Sequence, residues 1–108
     1  MLLITHKAKV NLANRLGLTA LHAAASMHNE ELIKILLDRR ANVNARTISG
    51  WAPFMPNEYT TDGELRALLR GKPNLRLKDD KGETALMQAR RLGRAAIVRM
   101  LLDAGAKD

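Results

Sequence analysis

Three histidines (His6, His22 and His28) and two carboxylate pairs (Glu30–Glu31 and Asp79–Asp80) are the side chains of this 108-residue chain best suited to acid–base or metal chemistry. None stands in a pattern that such chemistry needs. No two histidines lie a helical turn apart, so no zinc-binding helix is encoded. Cysteine is absent, which removes thiolate ligands, thiol nucleophiles and disulfides together. Glu30 and Glu31 precede an apolar run, where acids favour the positive end of a helix dipole. Asp79 and Asp80 fall in a polar segment ending at Gly82, where aspartate suits a turn. His6 and His28 read as solvated. There is no phosphate-binding glycine loop, serine elbow or dinucleotide fingerprint. The residues therefore predict no catalytic centre, no metal site and no cofactor, and they direct attention to binding.

Charge is the first guide to what could be bound. The chain carries a formal +7. Residues 1–16 hold Lys7, Lys9 and Arg15 without an acid, and the rest interleaves both signs, as a solvated helical surface does. The charge supports a nucleic-acid-binding module as an alternative reading. Specific recognition of nucleic acid is not expected, because no long basic block appears and only Trp51, Phe54 and Tyr59 could stack on bases. With so few aromatics, the core must be built from Leu, Ile, Val, Ala and Met, which suits closely packed helices. No apolar run approaches the ~20 residues needed to cross a bilayer. The start lacks the basic, apolar and small-residue order of a signal peptide, which favours the cytoplasm.

The elements that position these residues recur. Gly17-Leu-Thr-Ala-Leu-His22 returns as Gly50-Trp-Ala-Pro-Phe-Met55 and as Gly82-Glu-Thr-Ala-Leu-Met87, with glycine spacings of 33 and 32 residues. Leu32–Asp38 is echoed by Ile97–Asp103, and Ala41-Asn-Val-Asn44 by Ala8-Lys-Val-Asn11. A period of this length marks a stacked array with an extended surface. Thr19 predicts an N-cap for a helix over about 20–27, and Asn29 for a second over about 30–38. The second helix is apolar around much of its circumference, as a helix sandwiched between neighbours must be. Thr84 repeats the first cap, Gly93 separates the last two helices and Gly105 ends the final one. Residues 44–50 and 78–82 predict projecting turns.

These residues resemble the ankyrin-repeat family, whose unit combines a Gly-x-Thr-Pro-Leu-His opening, two antiparallel helices and a β-turn finger. The resemblance covers nearly the whole chain. It implies an all-α solenoid of about three repeats plus an N-terminal partial repeat: 1–16 partial, 17–49, a degenerate 50–81 and a C-terminal capping 82–108. It implies that His22 serves as a hydrogen-bonding link between repeats.

The middle unit departs from the pattern. Ala52 replaces the capping threonine, a loss typically of about 0.5–2 kcal/mol. Pro53 suits a first helical position. Pro56 would fall in the helix interior, where proline costs about 3 kcal/mol. A short or distorted helix near 53–58 is expected, then an irregular Tyr59-Thr60-Thr61. A second helix recovers after the capping box of Thr61 and Glu64. At the start, Leu2-Leu3-Ile4 aligns with Ile35-Leu36-Leu37, so the chain opens inside a second helix. The incomplete unit predicts a fragment and possible self-association through its exposed apolar side.

The resemblance implies a non-catalytic module that binds a protein partner through finger tips and the concave face of the first helices. Carried over, those positions are Arg15, Leu16, Leu18, Ser26, Met27, Ile48, Ser49, Trp51, Tyr59, Lys81, Glu83, Arg91 and Leu92. Arg15, Leu16, Leu18, Met27, Ile48, Trp51, Tyr59, Lys81 and Arg91 are the chosen partner-binding set. Exposed Trp, Tyr and Arg are typical interface anchors. Trp51 equally fits packing on its own finger or on the neighbouring unit's turn. An inhibitor or immunity-type regulator of one enzyme would use the same surface.

Overall fold

A computed structural model describes residues 10–107 of the chain. The partial repeat expected over 1–16 lies mostly outside these residues, as does His6. Five helices follow in order: α1 (Ala20–Ser26), α2 (Glu30–Asp38), α3 (Asp62–Leu69), α4 (Ala85–Arg91) and α5 (Ala95–Asp103). α1 pairs with α2 and α4 with α5, while α2, α3 and α5 pack in succession as one outer row. The stack measures 37 × 26 × 22 Å.

Local chemistry starts each helix. The Thr19 hydroxyl accepts from His22 N at 3.4 Å, and Thr19 N donates to His22 Nδ1 at 3.1 Å, a capping box with histidine in the returning position. Asn29 Oδ1 accepts from Leu32 N at 3.1 Å to open α2, and Glu30 and Glu31 fill its first turn. At α3, Thr61 Oγ1 accepts from Glu64 N while Glu64 Oε1 accepts from Thr61 N, both at 3.1 Å. Thr84 caps α4 through Met87 N at 3.3 Å. Gly93 and Gly105, both with positive φ, sit after the ends of α4 and α5 as expected. Leu21, Ile33, Leu36, Phe54, Leu65, Leu68, Leu86, Ile97 and Leu101 form one continuous core.

Residues 53–58 correct the expectation of a short or distorted helix. No helix forms there. One tight turn is closed by Met55 N donating to Ala52 O at 3.0 Å, and a second by Thr60 N donating to Asn57 O at 3.2 Å. Proline supplies the reason, since Pro56 has no N–H with which to continue the turn begun at Ala52. The segment is nonetheless packed, with Ala52 through Pro56 all buried. Ala52 also loses its meaning as a defective cap, because no helix follows it. Its N–H points to Met55 Sδ at 3.4 Å, where the thioether stands in for the His22 imidazole.

Candidate partner-binding surface

Each finger is closed by one side chain at an equivalent place. In the first finger Asn14 Oδ1 accepts from Leu16 N at 2.9 Å and Leu18 N at 3.0 Å. In the second, Thr47 Oγ1 accepts from Trp51 N at 3.2 Å and meets Ser49 Oγ at 3.0 Å. In the third, Asp79 Oδ1 accepts from Lys81 N and Glu83 N, both at 2.9 Å, and Oδ2 accepts from Gln88 Nε2 at 2.9 Å. Partial burial raises the Asp79 carboxyl, but these donors outweigh it and hold the group below its ordinary value. The structural role expected of Asp79 is therefore filled.

The fingers are joined edge to edge. Ile48 N donates to Leu16 O at 3.0 Å, and Asp80 N donates to Ser49 O at 2.9 Å. This close approach depends on Gly17 and Gly50, whose φ values are +80° and +82°. A Cβ on Gly50 would lie 2.8 Å from the Asp79 Cα.

The joining sets Leu16 beside Ile48 at adjacent tips, 53% and 74% exposed. Arg15 and Lys81 are exposed on the same row of fingers, and Leu18 is half-buried at the base of the first. Arg91 donates through Nε and Nη2 to both carboxylate oxygens of Glu83, at 2.9 and 3.0 Å, which strengthens its hold on its proton. Its charge is thus shared with an acid. Met27 is exposed at the C-cap of α1, and Tyr59 is 69% exposed in the irregular segment. Seven helical residues, about 10 Å, separate Met27 from the finger end of α1.

Trp51 is half-buried, its ring tilted against His22 with centroids 4.9 Å apart. His22 is fully buried. Its Nδ1 receives the Thr19 N–H, so Nε2 carries the proton and donates to Trp51 O at 2.9 Å. Burial lowers the imidazole's proton affinity, and the Trp51 and Ala45 backbone groups recover only part of it. His22 is a neutral link between repeats, as the resemblance implied.

Two arrangements were not visible in the residue pattern. His28 was expected to be solvated. It is exposed, and its Nδ1 also lies 2.7 Å from Oε1 of Glu64, a carboxylate 3% exposed on the next helix layer. His28 has φ 55°, which turns its side chain across to α3. The second is Arg94, at the N-cap of α5, which makes no cap bond. Its guanidinium donates to Asn57 O at 2.9 Å and to Thr60 O, holding the second turn of the irregular segment. Among the described residues, no group of three or more His, Asp or Glu could hold a metal ion, and no helix is long and apolar enough to cross a membrane.

Stacked helix pairs with a row of linked fingers define a solenoid scaffold. The chain belongs to the ankyrin-repeat family, whose model matches residues 16–48 and 81–108, more than half of its length. The match skips the unit whose first helix is replaced by turns. Ankyrin repeats are non-catalytic interaction scaffolds. The chain is similar to potassium channel AKT1 of Arabidopsis thaliana, 33% identical over 70 residues that cover 65% of this chain and 8% of that protein. It is 35% identical over 77 residues to the BTB/POZ domain and ankyrin repeat-containing protein NH5.2 of Oryza sativa subsp. japonica, covering 66% of this chain and 16% of that protein. Neurogenic locus notch homolog protein 1 of Mus musculus is 30% identical over 106 residues, 96% of this chain and 4% of that protein. The chain thus spans a small part of the length of the curated relatives it matches.

Proposed function

We propose that this array binds a protein partner through its finger tips, with contact extending along the concave side. The observation that carries this reading is the pairing of Leu16 and Ile48. Two large apolar side chains stand exposed at adjacent tips, on turns joined by a backbone hydrogen bond from Ile48 N to Leu16 O. Apolar area held rigidly in solvent binds without a large ordering cost. Arg15 and Lys81 flank it and favour acidic features on the partner. Trp51 offers one part of its ring, and Met27 and Tyr59 extend the contact beyond the fingers. Arg91 contributes its stem and its paired guanidinium more than a free charge.

The test is capture of partners by the wild-type chain, by Leu16→Glu/Ile48→Glu and by Trp51→Ala, each first shown to be folded by circular dichroism. Partners retained by wild type should be lost with the double variant and weakened by Trp51→Ala. Equal retention by all three would place the binding surface elsewhere.

A further inference from the structure

The turns that follow α2 and α3 carry a row of cations that the fingertip reading does not use. After each helix the chain passes through one residue with positive φ: Arg40 at 67° and Lys72 at 53°. They occupy equivalent places in successive repeats, and Gly105, φ 105°, holds that place after α5. A left-handed backbone is unfavourable for any residue with a Cβ and free for glycine. Two long cations are therefore kept where glycine would fold more easily. Backbone strain of this kind is a reason to look for function at the side chain.

Neighbouring residues extend the row. Arg39 is the C-cap of α2 and Arg70 the C-cap of α3, with Arg76 in the turn beyond. Asn74 N donates to Asn44 Oδ1 at 2.7 Å and holds the two turns side by side. Arg39, Arg40, Arg70, Lys72 and Arg76 are all exposed. None forms an ion pair with another described residue. Segments 39–46 and 65–78 contain no acid, and Asp38 is the acid nearest in sequence. Cations at helix C-termini complement the helix dipole, which accounts for Arg39 and Arg70. It does not account for the two strained positions.

The row's composition selects its ligand. None of the exposed large apolar residues (Leu12, Leu16, Met27, Ile48, Tyr59, Met87 and Leu102) belongs to it. A protein partner would find only Met87, in a cleft with Arg76 at one end of the row, as an apolar anchor. With no aromatic in the row, bases have nothing to stack on. Recognition must be by charge alone. Helices packed as α2 and α3 are lie about 10 Å apart, and a DNA duplex presents about six phosphates over that length. A flat anionic bilayer would also meet exposed Asp38 and Asp103 at the ends of α2 and α5. A rod laid along the α2 and α3 turns avoids Asp103, and the acids it meets are Asp38 and Glu31, which line one cleft with Arg70. We propose that the ridge of Arg39, Arg40, Arg70, Lys72 and Arg76 binds the phosphate backbone of duplex nucleic acid without reading its sequence, as an activity separate from the fingertip surface.

The experiment is fluorescence anisotropy of a labelled DNA duplex with the full chain between about 50 and 200 mM salt. Affinity should be unchanged by base composition and should fall on the order of a hundredfold across that range, as about four phosphate contacts require. Arg40→Gly/Lys72→Gly should bind at least about tenfold more weakly at low salt and lower the salt slope by about two. Its melting temperature should not fall, because glycine suits both backbones, so weaker binding cannot be ascribed to unfolding. Arg99→Glu, which removes the same net charge from exposed α5 outside the ridge, should bind as wild type does. Three results would each overturn the proposal: no duplex binding at low salt, equal binding by the glycine variant, or tighter binding to phosphatidylserine vesicles or polyglutamate than to duplex.

Discussion

His22 donates through Nε2 to the carbonyl oxygen of Trp51, 2.9 Å away in the next repeat, and the indole leans on the same imidazole at 43°. One residue thus contributes both its backbone and its ring to a single contact between repeats. The contact needs a neutral imidazole, because Nδ1 already accepts the Thr19 N–H. A second proton would set two N–H groups against each other.

This gives a pH dependence of defined sign. Burial first of all lowers the folded-state pKa of His22 below the ordinary 6.5. The unfolded chain then binds the proton more readily, and stability rises with pH through that window. The contribution is complete above about pH 6.5 and is lost as pH falls towards the folded value. His22→Met, which copies the residue at position 55, should be less stable than wild type at pH 7.5 by about 1–2 kcal/mol. The gap should narrow at pH 5.5, as read by thermal melts of both proteins.

Gly50 and Gly82 make a controlled comparison. Their φ values are +82° and +79°, so an alanine is equally strained at either. Only at Gly50 would the new Cβ meet the next finger's backbone. Gly82→Ala should cost about 1–2 kcal/mol, and Gly50→Ala clearly more. Urea titrations showing equal losses would mean that the fingers part without penalty.

His28 and Arg40 share a left-handed backbone but not a role. Arg40→Gly should stabilise the fold by about 1 kcal/mol. His28→Gly gains the same relief and removes a partner of the buried Glu64 carboxylate, a loss of about 1–3 kcal/mol. Arg40→Gly should therefore raise the unfolding midpoint, while His28→Gly should leave it unchanged or lower it.

Arg94 should govern local order more than global stability. Arg94→Ala frees Asn57 O and Thr60 O, so amide exchange at residues 57–60 should accelerate while exchange in α2 holds. Arg94→Lys, with one donor centre in place of a fork, should restore protection only in part. Unchanged exchange in Arg94→Ala would show the turns to be self-supporting.

The helices and their caps were legible because they rest on neighbours three or four residues apart. Thr19, Asn29, Thr61 and Thr84 each act within their own turn. The irregular middle segment was legible in cause, through Pro56, but not in outcome, since sequence spacing does not say whether a weakened helix survives. His28 and Arg94 were opaque for another reason. Their partners lie 36, 37 and 34 residues away, and the link depends on a left-handed backbone in one case and a vacant cap in the other. On the candidate surface, repeat position indicated which residues stand at finger tips. It gave no sign that Arg91 is bound to Glu83, whereas cover of Trp51 was one of its two readings.

The absent helix between Trp51 and Thr61 also bears on the order in which the chain folds. α1 with α2, and α4 with α5, are helix pairs that can form from local contacts. α3 has eight residues and no helical partner of its own. A helix so short is marginal alone in water, so α3 must wait for a surface prepared by a neighbour. The first and last repeats are thus expected to order before the central one, and φ-values near 1 at Leu65 with values near 0 at Leu21 and Leu86 would reverse that order.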